Sequence, residues 1–299
     1  MDYYLQRLKQ GLVIPNSHYE WKEYRNQITK FILAHQKKKR IVLLGAGPSN
    51  DIDLGKLELY YEEIYLVDNR KEAMQEALRT YKLENNPKIK LVTSDFWEFP
   101  DLALEGLEEC LAQKENITFI SEYIEEMQNW AYQNTVYPKI EADTEVVVLG
   151  IHSQFNSCVA ALINYYKSNY NEKEVDSVLG ILRKWNRIAV ERFHEYLFSN
   201  FSFIHFGYEY SSYENEGEYQ RLQNVVSLFM NGEGQLAKEI HVARVDGAYE
   251  AEKNLSKLIW EKKVGILSFQ YVFWNFSEPK GYLMCLYYLE NLQYQRNDG

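Results

Sequence analysis

Cysteine is scarce: Cys110, Cys158 and Cys285 are the only three in a chain of 299 residues. None forms a CxxC pair, so neither a disulfide framework nor a zinc site is expected. Free thiols suit a reducing compartment. Six prolines and 15 glycines exclude collagen-like and low-complexity chains. No apolar run approaches the ~18 residues needed to cross a bilayer, and the opening MDYYLQRLKQ lacks the apolar core of a secretory signal. The expected location is the cytoplasm, with no membrane partner. Positive charge is also short, with 33 Lys and Arg against 43 Asp and Glu and a formal net charge of −10. A chain that grips nucleic acid carries a basic footprint, and none is expected here. The one basic run, Lys37-Lys38-Lys39-Arg40, reads as a phosphate or membrane patch or as a solvated turn before a buried strand; the turn is the expectation.

What remains is ordinary globular composition, 46% hydrophobic and 25% charged. The length suits two domains or one large α/β domain. Tyrosine is abundant at 25 residues, and aromatics make up 15% of the chain. Such residues build a core and rim, or they wall a pocket for a flat or cationic ligand.

Along the chain, residues 1–38 read as helical with a break at Pro15 and Asn16. IVLLGAG (41–47) is a continuous apolar run ending in glycines, the pattern of a central parallel strand covered on both faces. Weak helical pattern follows around 51–61. Strands are then predicted at EIYLVDN (63–69) and KIKLVTSD (88–95), with the helix RKEAMQEALRTYKL (70–83) between them. This alternation implies βαβ units and a parallel sheet. Two helical stretches interrupt the rhythm at 101–141, with ITFI (117–120) between them as a candidate short strand. TEVVVLGI (144–151) is a fourth strand, a long helix is expected over 171–198, and FSFIHFGYEYS (201–211) is a fifth strand. A further helix near 216–230 precedes two β-rich runs, 264–277 and 282–290, joined by SEPKG as an antiparallel hairpin.

The strand ends carry the chemistry. Gly45-Ala46-Gly47-Pro48-Ser49-Asn50-Asp51 follows the first strand, where glycine permits a tight turn and close approach of a ligand. Asp68 ends the second strand, where nucleotide-binding α/β folds read a ribose hydroxyl. Asp95, followed by Phe96 and Trp97, ends the third and suits an adenine. Any one of these alone reads as a turn or a helix cap. The three in order point to a nucleoside-containing ligand. The third position of a dinucleotide fingerprint is Asn50 rather than Gly, and a Walker-type phosphate loop is absent.

The pattern resembles the class I S-adenosylmethionine-dependent methyltransferases. The resemblance runs from about residue 40 to the end and rests on LGAGPSND (44–51), LVDN (66–69), TSDFW (93–97), TEVVVLGIHSQF (144–155) and the terminal hairpin. It implies an α/β, Rossmann-like, seven-stranded, mostly parallel sheet in the order 3-2-1-4-5-7-6, with an antiparallel last strand and helices on both faces. Residues 1–38 would be a helical extension, and 39–299 a cofactor-binding domain with a helical insertion at 101–141. S-adenosylmethionine is the implied cofactor. Gly45, Ala46 and Gly47 would face its methionine part, Asp68 its ribose, and Asp95 and Phe96 its adenine, with Gly150 and His152 beside the sulfonium. Pro48 and Asn69 fall within the same motifs. Leu43 stands where the family often has an acid, and Ser49 where it often has a third glycine; Asp51 is the candidate replacement for the acid.

For the acceptor side, His152 is the candidate general base, with a helix-capping turn as its other reading. Gln154 is placed to orient a ligand. Glu209 is a candidate to bind a cationic acceptor or act as base, or else it is a solvated strand end, and Tyr208 lies on the same rim. The insertion and the N-terminal helices are expected to cover the pocket, with Trp130, Tyr132 and Tyr137 of the insertion lining it or serving as core. His205 is expected to be packed within its strand, and His18, His35, His194 and His241 show no partner pattern. No metal site is expected. The expected reaction is methyl transfer to a small molecule. The alternatives are a nicotinamide-dependent oxidoreductase, disfavoured by Asn50 and the terminal hairpin, and a non-catalytic binding protein of the same fold.

Overall fold

The computed structural model describes residues 4–11, 14–233 and 246–293. Three helices open the chain, α1 (Tyr4–Gly11), α2 (Ser17–Glu20) and α3 (Lys22–Ala34), with the predicted break at Pro15 and Asn16. There follow β1 (Arg40–Leu44), α4 (Leu54–Tyr60), β2 (Glu63–Asp68), α5 (Lys71–Tyr81) and β3 (Ile89–Thr93). Next come α6 (Ala103–Ala112), α7 (Ile117–Asn134), β4 (Thr144–Leu149), a short 3₁₀ turn at Ile151–Ser153, α8 (Ser157–Tyr166) and α9 (Glu172–Asn200). The chain closes with β5 (Phe203–Tyr213), α10 (Glu216–Met230), α11 (Asp246–Trp260), β6 (Val264–Ser277) and β7 (Lys280–Asn291).

The strands form one sheet in the order β3-β2-β1-β4-β5-β7-β6. β1 pairs in parallel with β2 and β4, β2 with β3, and β4 with β5. β7 runs antiparallel between β5 and β6. This is the predicted order, with the single predicted reversal.

The alternation of side chains along each strand divides the core. Val42, Leu44, Val67, Val146 and Val148 face α9 and α11, where they meet Ala189, Phe193, Ala248 and Leu255. Ile41, Leu43, Ile64, Leu66 and Val147 face α3, α4 and α5, meeting Ile28, Ile32, Leu54, Leu57 and Met74. The central strands are buried on both faces, which is why they read as unbroken apolar runs. Tyrosine serves in both expected ways, since Tyr61 and Tyr288 are core residues and Tyr24 lines a cleft.

One predicted element is corrected. ITFI (117–120) begins α7 instead of forming a strand: the Asn116 side chain caps the helix by accepting from the Thr118 N–H at 2.8 Å. Ile120, Ile124, Met127 and Ala131 then fall on one buried stripe. With α1, α6, α8 and part of α9, α7 builds a third apolar cluster beside the sheet.

The basic run behaves as a turn. Lys38 pairs with Asp143 at 2.6 Å, Lys39 with Glu62 at 2.7 Å and Arg40 with Glu141 at 3.0 Å. Among the described residues no helix is long and apolar enough to cross a membrane. None of the three cysteines is joined in a disulfide.

Candidate functional site

A cleft of about 820 Å³ opens at the carboxyl ends of β1 to β5. The Gly45–Asp51 turn forms its floor. Gly45 and Gly47 both hold positive φ, +76° and +47°, which glycine adopts without the strain of a Cβ. The N–H groups of Gly45 and Ala46 donate to the Val67 carbonyl at 2.8 and 3.0 Å, fixing the turn against β2. The Gly47 N–H donates to Asp68 Oδ2 at 2.9 Å, and the Arg70 N–H to Asp68 Oδ1 at 2.9 Å. A carboxylate has about four lone-pair positions, so Asp68 keeps acceptor capacity for a ligand hydroxyl.

At the next strand end, Asp95 Oδ2 accepts from Asn69 Nδ2 at 3.0 Å and Oδ1 from the Trp97 N–H at 3.0 Å. Phe96 is buried edge-on to Phe193. Behind it runs a buried polar chain. Trp97 Nε1–H donates to Gln128 Oε1 at 2.8 Å, Gln128 Nε2 to Asn156 Oδ1 at 2.5 Å, and Asn156 Nδ2 to Asn186 Oδ1 at 2.8 Å. The chain ties the third strand end to α7, the segment before α8, and α9.

At the end of β4, Gly150 has φ +62°, and a Cβ there would lie 3.0 Å from Glu209 Oε1. Both the backbone and the close carboxyl favour glycine. Glu209 is 5% exposed yet lines the cleft. Its Oε1 accepts from Ser153 Oγ–H at 2.9 Å, and Oε2 has no partner among the described residues. Burial pushes the Glu209 carboxyl up to about 7. Asp51 also lines the cleft, and its enclosed position pushes it up to about 6, with Arg25 opposing the shift. Tyr24 lies between these charges: burial, then Asp51 and Glu209, raise its phenol well above the usual value.

Gly45, Ala46, Gly47, Pro48, Asp51, Asp68, Asn69, Asp95, Phe96, Gly150, Gln154 and Glu209 therefore line one cleft. Five predicted residues do not, and their placement corrects the sequence reading. His152 sits beneath the cleft, 1% exposed among Phe155, Phe193 and Phe206. Its Nε2 is 3.1 Å from His194 Nε2, and His194 Nδ1 is 2.6 Å from Asn254 Oδ1. Burial, reinforced by His194, holds the His152 pKa well below the usual imidazole value. Tyr208 precedes Glu209 on β5, so strand alternation turns it to the opposite face, against Tyr210 and Tyr287. Trp130 is on α7, whose buried stripe faces the third cluster beside the sheet. Tyr137 stacks on Tyr196 with ring centroids 4.6 Å apart, and with Tyr132 it lines a separate depression on α9. His241 lies outside the described residues.

The N-terminal helices cover the cleft as expected, but the sequence reading named none of their lining residues and missed the share of β6. His18, Trp21 and Tyr24 line the cleft from the N-terminal helices, and Trp274 and Phe276 from β6. Tyr24 stacks on Trp274 at 4.8 Å and 9°. Trp21 stands edge-on to Trp274 at 4.8 Å, and its Nε1–H donates to the Phe276 carbonyl at 2.9 Å. Buried Arg25 pins this segment to the glycine turn by donating to the His18 and Asn50 carbonyls at 2.6 and 2.9 Å. The aromatic spacing of WKEY (21–24) and FWNF (273–276) was the only signal.

No protein-family model matches the chain, and no curated protein sequence matches it. Among solved structures it is similar to the N-methyltransferase NodS from Bradyrhizobium japonicum WM9 in complex with S-adenosyl-L-homocysteine. Identity is 11% over 97% of this chain and 100% of that one, with a TM-score of 0.45. It is similar to a putative RNA methyltransferase from Pyrococcus horikoshii at 11% identity over 90% and 84% of the two chains, TM-score 0.42. It is also similar to an S-adenosylmethionine-dependent methyltransferase from Methanosarcina mazei at 12% identity over 88% and 97%, TM-score 0.40. With TM-scores below 0.5, none of these likenesses bears on activity or acceptor. The strand order and the single reversed strand are those implied by the class I methyltransferase resemblance, and on that basis the chain has the class I methyltransferase fold.

Proposed function

We propose that this protein is an S-adenosylmethionine-dependent methyltransferase acting on a small molecule. The observation that carries the reading is convergence. The Gly45–Pro48 turn, Asp68, Asp95 with Phe96, and Gly150 come from four successive strand ends and line one cleft. In open α/β sheets ligands bind at such ends. The groups fit the cofactor: a floor without Cβ atoms at 45 and 47, an acid for ribose hydroxyls, an acid beside an aromatic ring for adenine, and a side-chain-free position at 150. When bound, S-adenosylmethionine supplies a methyl carbon made electrophilic by its sulfonium.

The chain's own residues orient and desolvate. Asp68, braced by two backbone N–H groups, presents a rigid acceptor. Asp95 is held by Asn69 and the Trp97 N–H. Trp21, Trp274 and Phe276 narrow the cleft against water. Holding two reactants in attack geometry supplies much of the rate in a displacement of this kind. A formal charge of −10 supports a small-molecule acceptor over nucleic acid, and three cysteines outside any disulfide support a cytoplasmic setting.

Calorimetric titration of the purified chain with S-adenosylmethionine, S-adenosylhomocysteine and NAD tests this. Micromolar binding of the first two is expected, weakened about 100-fold in Asp68→Ala, since hydrogen bonds to a charged acceptor each contribute about 1.5–3 kcal/mol. Binding of NAD alone would replace the reading with an oxidoreductase. Cofactor binding without turnover over a broad acceptor screen would leave a binding protein.

A further inference from the structure

The cleft extends past the strand ends that serve the cofactor. At that far end Glu209, Met284 and Val272 share one register line across β5, β7 and β6, so their side chains leave the same face of the sheet. Trp274 follows Val272 by two residues and leaves that face too. Tyr24 covers it from α3, stacked on Trp274, and Trp21 and Phe276 complete the wall. The result is an aromatic wall that lines the same cleft as the Glu209 carboxyl. Glu209 is nine-tenths buried, lines the cleft, and leaves Oε2 without a partner. No Lys or Arg among the described residues forms an ion pair with it. A buried carboxylate of this kind is costly unless a cation meets it.

Resting on the methyltransferase reading, we propose that the methyl acceptor is an amine that enters as its ammonium ion, and that Glu209 holds its nitrogen and removes its proton against the aromatic wall of Trp21, Tyr24, Trp274 and Phe276. Aromatic faces attract cations, and two carboxyls, Glu209 and Asp51, repel an acidic acceptor. An alcohol would leave the buried charge unmatched. The ammonium form has no lone pair for attack, so it first gives a proton to Glu209, which becomes a neutral carboxylic acid as the amine becomes neutral. The nitrogen lone pair then forms the new N–C bond while the C–S pair stays on sulfur. The product leaves as a methylated ammonium ion, and Glu209 returns its proton to water. The Glu209 carboxyl, pushed up to about 7 by burial, is matched to accepting such a proton near neutrality.

The experiment saturates the full chain with S-adenosylhomocysteine and titrates benzylamine and its neutral counterpart benzyl alcohol. Benzylamine is expected to bind about tenfold more tightly, in keeping with a desolvated cation–π and ion-pair contact. Glu209→Gln is expected to abolish that preference while S-adenosylhomocysteine affinity holds. Trp274→Leu, which keeps the carboxyl, is expected to weaken benzylamine more than benzyl alcohol. Equal binding of amine and alcohol to the saturated wild type overturns the proposal, as does a preference that survives both substitutions. Failure of S-adenosylhomocysteine to bind at all instead removes the methyltransferase reading, and the amine proposal with it.

Discussion

His152 and His194 face each other beneath the cleft with their Nε2 atoms 3.1 Å apart. One ring nitrogen donates and the other accepts, so the pair is built for two neutral imidazoles. Burial lowers the His194 pKa from 6.5 to about 4 and depresses His152 as well. The unfolded chain therefore binds more protons than the folded one between about pH 6.5 and 4, and the pair costs stability as pH falls through that window. The difference is on the order of 3 kcal/mol for His194 at full protonation. His194→Gln is expected to remove that part of the acid sensitivity. Urea melts of both forms at pH 7 and pH 4.5 check it: the wild type should lose more stability between the two.

Glu209 has the opposite sign. Its folded value near 7 stands above the ordinary 4.5, so its ionisation opposes folding as pH rises from about 4.5 to 7. The groups that act on it are Ser153 as donor and Lys280 as a weak opposing charge, and its own charge acts on the Tyr24 phenol. Glu209→Gln keeps the acceptor for Ser153 and removes the charge. It is expected to raise stability by about 3 kcal/mol at pH 8, with the gain gone by pH 4.5. Thermal melts at the two pH values give the answer, and a gain independent of pH would contradict it.

Gln128 joins Trp97 to Asn156 in the buried polar chain. Gln128→Leu would leave the Trp97 indole N–H and the Asn156 carbonyl oxygen without partners in a site closed to water. Each unsatisfied buried group costs about 1–3 kcal/mol, so a loss of about 2–5 kcal/mol in denaturant unfolding is expected. Asn156→Leu should cost a similar amount, and the two together less than their sum, because they break one network.

Much of the sheet was legible because its central strands are covered on both faces and read as unbroken apolar runs: Ile41 to Leu44, Ile64 to Val67 and Val146 to Leu149. Gly47 and Asp68 were legible because each ends such a run. The His152–His194 contact was not, because the two residues are 42 positions apart and only packing of α9 beneath the cleft brings them together. ITFI misled because β-branched residues at the head of an amphipathic helix look like a strand until the Asn116 cap is weighed. Trp130 and Tyr137 misled because α7 packs into the cluster beside the sheet, and it is Leu104 of α6 that reaches the cleft from the insertion. Trp21 and Trp274 were indistinguishable from core aromatics until β6 and α3 were set side by side.

The Trp21 indole that reaches the Phe276 carbonyl spans 255 positions. A contact so distant in the chain is among the slowest to find, since the entropy of closing the intervening loop must be overcome first. A growing polypeptide that has made the glycine turn and the cleft acids Asp51, Asp68, Asp95 and Glu209 still has one open side until β6 leaves the ribosome. Ligands gripped by both walls thus stabilise finished molecules and pass over nascent ones.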